Sequence, residues 1–294
     1  MLNPHRNTIY SLTGAVLQQD AFAGDQFILK ITAPEISNSA KPGQFVHLQC
    51  HPSIALRRPF SIMRVQANHW LEILYKVVGQ GTRALSQAKP GDSLDIMGPI
   101  GHPFQLSPSR PLVLLLGGGV GIPPMILMAQ HIKQNLPGVK PVIFMGSEVP
   151  FPFRVIPSNI MVPEIPAEVT GAMPLMEDWG FTSRLCSHAA YPGCYQGYVT
   201  DLARLYLAQL DKNTRSLVEV FACGPHAMLH AAAQLAHEFQ LPCQLCLEEY
   251  MACGVGGCAA CTIPIYDQDG KISMKRVCVD GPVFTASQVY PQFN

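Results

Sequence analysis

The chain has 294 residues, a length that suits two or three cores, and its 20 Lys and Arg balance 20 Asp and Glu. Zero net charge, with Arg57-Arg58 and Lys275-Arg276 as isolated basic pairs, excludes nucleic acid as the main ligand, because phosphate binding needs a cationic surface. Charged residues form 14% of the chain against ~25% in ordinary soluble domains; a large core or a face covered by a partner would each produce that deficit.

The first ten residues carry Pro4, His5, Arg6 and Asn7 and no apolar run, so no secretory leader is expected. The most apolar stretch, 111–128, is broken by glycines and prolines and reads as strand, loop and helix rather than a membrane span. A cytoplasmic protein is the expectation. Between residue 10 and about 104, short apolar runs (26–31, 44–49, 70–78 and 93–97) alternate with breaks such as Pro42-Gly43 and Pro90-Gly91. That rhythm predicts an all-β barrel or sandwich over 1–106.

Within that region Arg57-Arg58-Pro59-Phe60-Ser61-Ile62 ends one β-run, and Gly79-Gln80-Gly81-Thr82 follows the strand 70–78. An arginine beside a rigid proline presents a planar fork suited to a pyrophosphate, and a hydroxyl three residues on reaches a ring nitrogen. Gly81 and Thr82 offer backbone and side-chain donors to a phosphate. The same residues also suit an ordinary strand end, so their weight comes from what lies downstream.

At Pro111 the pattern changes. A continuous apolar run, 112–116, predicts a buried parallel strand and leads into Gly117-Gly118-Gly119-Val120-Gly121, after which Pro123-Pro124 opens a helix to about 135. Such a turn brings backbone N–H groups and the positive end of a helix dipole to a phosphate. It departs from the full G-x-G-x-x-G dinucleotide fingerprint because Pro124 takes the final position. Further strands are expected at 141–145 and 217–223, the latter ending in Cys223-Gly224-Pro225 before an alanine-rich helix, 226–239. Alternating strand and helix predict an α/β domain over 107–240. The stretch 147–196 is rich in proline, methionine and aromatics and has no clear period.

The last section, 241–294, reads as a small third unit and holds the strongest signal. Cys253-Gly-Val-Gly-Gly-Cys258-Ala-Ala-Cys261, with Cys278 after sixteen intervening residues, has the C-x4-C-x2-C…C spacing of plant-type two-iron ferredoxins. Three thiolates must converge from one tight loop whose N–H groups point at sulfur, and the intervening residues are all small. A zinc site built from Cys243-x-x-Cys246 and Cys258-x-x-Cys261 is the rival, but it leaves Cys253 and Cys278 without a role. Cys50, Cys243 and Cys246 read as buried thiols. His226, His230 and His237 lie on one face of the alanine-rich helix as surface residues. Hydrolytic chemistry is not expected, since neither a G-x-S-x-G elbow nor a P-loop occurs.

A cluster takes one electron at a time and a nicotinamide takes a hydride, so a chain joining them needs a flavin between. In order, these motifs resemble the ferredoxin–NADP reductase superfamily. The segments 251–261 and 277–284 resemble the electron-transfer subunits of NAD-dependent dihydroorotate dehydrogenases. The resemblance implies an antiparallel β-barrel FAD domain, an α/β parallel-sheet NAD domain and a small C-terminal [2Fe-2S] domain. It implies that Arg58 and Ser61 contact FAD, with Pro59, Phe60, Leu74, Tyr75, Lys76, Gly81 and Thr82 completing the site. NAD would meet Gly117, Gly118, Gly119, Gly121, Cys223, Gly224 and Pro225, and Cys253, Cys258, Cys261 and Cys278 would hold the cluster. The implied partner is an FMN-containing catalytic subunit that oxidises dihydroorotate in pyrimidine biosynthesis, two of each chain forming a heterotetramer. A stand-alone NAD(P)H-dependent reductase with the same cofactors is the alternative.

Overall fold

The computed structural model describes residues 8–267 and 269–293. The first unit comprises strands β1 (Tyr10–Phe22), β2 (Gln26–Thr32), β3 (Phe45–Leu48), β4 (Arg58–Gln66), β5 (Trp70–Lys76) and β6 (Ser93–Ile100), with short helices α1 (Pro34–Ser39) and α2 (Gln80–Leu85). The strands close into an antiparallel barrel in the order β1-β2-β5-β4-β3-β6. Closure works because β1 is long enough to serve two neighbours: its first half pairs with β6 and its second with β2. No sheet edge is then left open. Alternate residues of the strands, among them Leu29, Ile31, Ile62, Leu71, Ile73 and Ile96, are fully buried inside.

The second unit begins with β7 (Leu112–Gly118) and α3 (Ile122–Asn135), then β8 (Lys140–Gly146). The segment that lacks a period in sequence holds a two-stranded ribbon, β9 (Ile156–Pro157) with β10 (Gly171–Ala172), then α4 (Pro174–Trp179) and β11 (Thr182–Cys186). There follow α5 (Val199–Gln209), α6 (Lys212–Ser216), β12 (Val218–Cys223), α7 (His226–Glu238) and β13 (Cys243–Cys246). The sheet order is β11-β8-β7-β12-β13, all parallel, with one more strand, β16 below, antiparallel at the edge. Strand β11 escapes a hydrophobicity reading because Ser183 and Arg184 interrupt it, although both are buried. Arg184 donates to the carbonyls of Ser183 and Ile160, which ties the proline-rich loop to the sheet.

The chain then leaves the sheet for the hairpin β14 (Thr262–Tyr266) and β15 (Ile272–Arg276), and returns as β16 (Val283–Thr285) and α8 (Ala286–Val289). The third unit is therefore an excursion from the α/β sheet. Residues from 241 first supply β13, a central strand too short for its apolar pattern to stand out beside two cysteines.

Barrel and sheet meet at α3. Gln130 receives the Val65 N–H at 3.1 Å and donates to the Val65 carbonyl at 2.6 Å, while Met63 and Leu74 pack into the core beneath that helix. Among the described residues, no helix is long and apolar enough to cross a membrane.

Candidate functional site

The cysteine loop, 253–261, is shaped by small residues. Gly254 (φ +68°) and Gly256 (φ +81°) take the left-handed region that side chains resist. The loop curls around one sulfur: Cys253 Sγ accepts N–H groups from Val255 at 3.5 Å, Gly257 at 3.2 Å and Cys258 at 3.4 Å. Burial works upward on the Cys253 thiol, yet those donors and the Cys258 thiol bring it down to about 7. Cys278 returns on the turn after β15, and its sulfur lies 3.4 Å from Cys261 Sγ. Burial and the Cys261 thiol push Cys278 up to about 12. Such a buried pair of thiols is poorly placed alone and well placed to bind a cation, which removes both protons.

The sulfurs of 261 and 278 thus form one pair, the Cys258 thiol bonds to Cys253 to make a second, and Cys278 feels the charge of Cys253. Among the described residues, no three metal-ligating side chains gather as a single-ion site would require. Two pairs suit a two-iron cluster, in which each iron takes two thiolates. The zinc alternative does not fit, because Cys243 and Cys246 face opposite sides of β13 and belong to different cores. Arg276 braces the loop, donating from Nη1 to the Gly256 carbonyl at 3.0 Å while Asp280 holds its Nε at 3.3 Å.

The barrel meets this loop at His47 of β3, whose register partner on β4 is Pro59. Arg58 lies against Gly81, where an added Cβ would come 3.3 Å from Nε, so the glycine lets the guanidinium rest on the start of α2. The guanidinium donates to the Leu56 and Arg57 carbonyls. Arg57 has turned to Asp95, at 2.6 Å. Pro59, Phe60 and Ser61 pair with His47, Val46 and Phe45 of β3. The Phe60 and Tyr75 side chains fill the barrel, Tyr75 stacking on Phe27 and donating to Gln19 Oε1 at 3.0 Å. Leu74 faces the opposite side, toward α3, and Lys76 is half-buried at the end of β5. Thr82 Oγ1 accepts the Val78 and Gly79 N–H groups, so its hydroxyl fastens the turn before α2.

The two glycine turns of the α/β unit pack backbone on backbone. A side chain at Gly121 would fall on the Cys223 carbonyl, and one at Gly224 would come 3.3 Å from Gly118 Cα and 2.6 Å from Met228 Sδ. Gly119, at φ +55°, has open space where a side chain would project, and Pro225 borders Gly118. This leaves bare backbone at the C-terminal edge of β7 and β12, where open α/β sheets take ligands. Cys223 is buried against Cys246, its register partner; that thiol contact and burial push Cys223 well above the usual range.

Two features lie outside the sequence reading. His47, on β3, is 1% exposed and lies under the cysteine loop: a Cβ on Gly254 would stand 2.6 Å from its Nδ1. Burial and the Arg57 charge lower its pKa to about 4, the Cys253 backbone acting in the other direction, and neither ring nitrogen reaches hydrogen-bonding geometry. A lone polar residue in Phe45-Val46-His47-Leu48 was the available signal. The second is a cavity of about 500 Å³ between the loops after β8 and β11, lined by Phe151, Phe153, Ile156, Thr170 and Tyr191 among others. Of the α7 histidines, His230 packs on Tyr290 and Phe293, His237 contacts the Phe293 carbonyl, and His226 faces Glu249 at 3.8 Å.

Residues 248–290 match the family model described as the iron–sulfur cluster binding domain of dihydroorotate dehydrogenase B. The chain is 34% identical over 248 residues to the dihydroorotate dehydrogenase B (NAD(+)) electron transfer subunit of Caldanaerobacter subterraneus subsp. tengcongensis, spanning 84% of this chain and 86% of that one. It is 32% identical to the subunit of the same name from Desulforamulus reducens, over 91% and 93% of the two chains. Among solved structures, an NADH-dependent reduced ferredoxin-NADP oxidoreductase superposes with TM-score 0.74 at 27% identity, covering 94% of this chain and 89% of that one. Phthalate dioxygenase reductase shares the fold, with TM-score 0.57 at 14% identity over 90% and 76%. The bracketed sulfur pairs, the barrel and the doubled glycine turn therefore lie in a chain that belongs to the family of dihydroorotate dehydrogenase B (NAD(+)) electron transfer subunits.

Proposed function

We propose that this chain carries electrons between a dihydroorotate-oxidising catalytic subunit and NAD, through a [2Fe-2S] cluster and FAD. The observation that carries this reading is the Cys261–Cys278 sulfur pair together with a Cys253 sulfur already cradled by three backbone N–H groups, one of them that of Cys258. When bound, the flavin converts hydride equivalents into single electrons that the cluster can pass on.

Each part of the chain has a distinct task. Cys253, Cys258, Cys261 and Cys278 hold the cluster, and the N–H donors on Cys253 stabilise its thiolate. In the barrel, within 1–106, Arg58 supplies a fixed positive fork for the FAD diphosphate, and Ser61 a hydroxyl for the ring. Gly81 keeps the floor beside Arg58 low, and Thr82 holds the turn in shape. In the α/β unit, Gly117, Gly118, Gly119 and Gly121 with Cys223-Gly224-Pro225 expose backbone for the dinucleotide to approach. Its extent is 107–246 with 283–293, which leaves 247–282 as the cluster unit. Cys223, as a neutral thiol at the strand edge, supplies bulk and polarisability there rather than a nucleophile.

The subunit works in the cytoplasm beside an FMN-containing catalytic chain, two copies of each forming the complex. The deciding experiment is analysis of the purified protein for iron, acid-labile sulfide and FAD, followed by addition of NADH. Bleaching of both flavin and cluster absorbance is expected. Colourless protein carrying zinc would overturn the reading, and co-purification of some other dehydrogenase would reassign the partner.

A further inference from the structure

His47 occupies an unusual position. It is a polar side chain 1% exposed, on a strand whose other members, Phe45, Val46 and Leu48, are core residues. Neither ring nitrogen has a hydrogen-bond partner. A buried polar group left in that state is destabilising, so its presence asks for a reason outside packing. Its surroundings supply one. On the barrel side, its register partner is Pro59, and both Arg57 and Arg58 act on its charge. On the other side, Nδ1 is the first atom that a Cβ on Gly254, the residue after a cluster ligand, would meet, at 2.6 Å. One imidazole therefore stands between the flavin strand and the cysteine loop.

Gly254 is built for this contact. Its φ of +68° and missing Cβ let the loop backbone descend onto the ring. The loop's other brace, Arg276 on Gly256, comes from within the cluster unit itself. His47 alone of the two belongs to the barrel. We infer that His47 is a positioning residue that docks the cysteine loop on the flavin strand by presenting its Nδ1 face to the loop backbone at Gly254, and so sets the geometry of electron transfer between flavin and cluster. The inference rests on the electron-relay reading above. Its physical basis is that groups behind the ligands fix ligand orientation and tune a redox centre.

The test uses the holoprotein with three substitutions: His47→Leu, which keeps bulk and removes the N–H; His47→Asn, which keeps a donor near the Nδ1 position; and Gly254→Ala, which pushes the loop off the ring. Iron, sulfide and FAD contents are measured first, then flavin and cluster reduction by NADH in stopped flow, then the cluster midpoint potential. In His47→Leu and Gly254→Ala the flavin is expected to reduce at the parent rate, while cluster reduction slows by about tenfold or more and the midpoint potential shifts. His47→Asn is expected to recover most of the loss. Unchanged cluster reduction and potential in His47→Leu overturn the inference, as does an asparagine variant as impaired as the leucine one, since that marks a packing effect alone. Should His47→Leu fail to load its cluster, an unaltered rate and potential in Gly254→Ala overturn it. A parent protein lacking iron or flavin, or one whose cluster NADH does not reduce, defeats the relay reading itself, independently of the variants.

Discussion

At the scale of single residues, function here rests on atoms that are missing as much as on those present. Cys253 can gather three N–H donors because Gly254, Gly256 and Gly257 have no side chains to hold the loop open. Cys258→Ser is expected to abolish the cluster while FAD stays bound, checked by iron analysis beside flavin absorbance; cluster absorbance at the parent level would contradict the ligand assignment. Arg58→Ala should weaken flavin retention by about 1.5–3 kcal/mol, the worth of a charge-assisted contact, read from flavin content after dialysis. Gly121→Ala drives a methyl into the Cys223 carbonyl and should separate the two glycine turns. A loss of about 1–3 kcal/mol in stability and a raised KM for NADH are expected, the first from thermal melts and the second from steady-state rates. The four cysteines were legible in sequence because their spacing is local and chemically demanding. His47 was not, because its meaning depends on a loop brought over it by folding.

Elements show the same division. Strands β2, β3, β5 and β6 announced themselves through apolar runs between glycine and proline breaks, and β7, β8 and β12 through continuous hydrophobic segments, whereas the long β1 did not stand out and the segment 57–62, read as the end of a β-run, opens β4 instead. Strand β11 hid behind Ser183 and Arg184, since a buried arginine bonded to two carbonyls looks in sequence like a solvated one. Strand β13 hid behind its cysteines, which drew attention to metal chemistry when Cys243 and Cys246 are packing thiols. The Tyr75 side chain, in the flavin set that the resemblance implies, also anchors the barrel interior. The α3–β4 contact turns on Gln130, whose amide satisfies both backbone groups of Val65. Gln130→Leu leaves those groups unpaired in a partly buried contact, at about 1–3 kcal/mol each at most. A lower melting temperature with FAD and iron contents unchanged is the expected result.

For the molecule as a whole, the scarcity of charge has a counterpart on the cluster unit, where Tyr250 is 93% exposed and Val255, Ile272 and Met274 also face solvent. Large apolar side chains around a redox centre suit a surface that a partner covers. Tyr250→Glu and Met274→Glu should each weaken association with the catalytic subunit while leaving NADH-driven cluster reduction intact, measured by co-purification and by stopped flow. An unaffected complex would move the docking surface elsewhere.

The neck of the excursion carries a last implication. Cys246 and Val283 are ladder partners on β13 and β16, and the Leu247 N–H donates to the Pro282 carbonyl at 2.9 Å, so both ends of the cluster unit are stitched to the same sheet. Such a unit has no leash on which to swing toward a flavin and away again. It is a stationary conductor with a built-in gap, whose throughput should be indifferent to the viscosity of the medium: thickening the solvent with sucrose ought to leave intramolecular reduction of the iron centre unslowed.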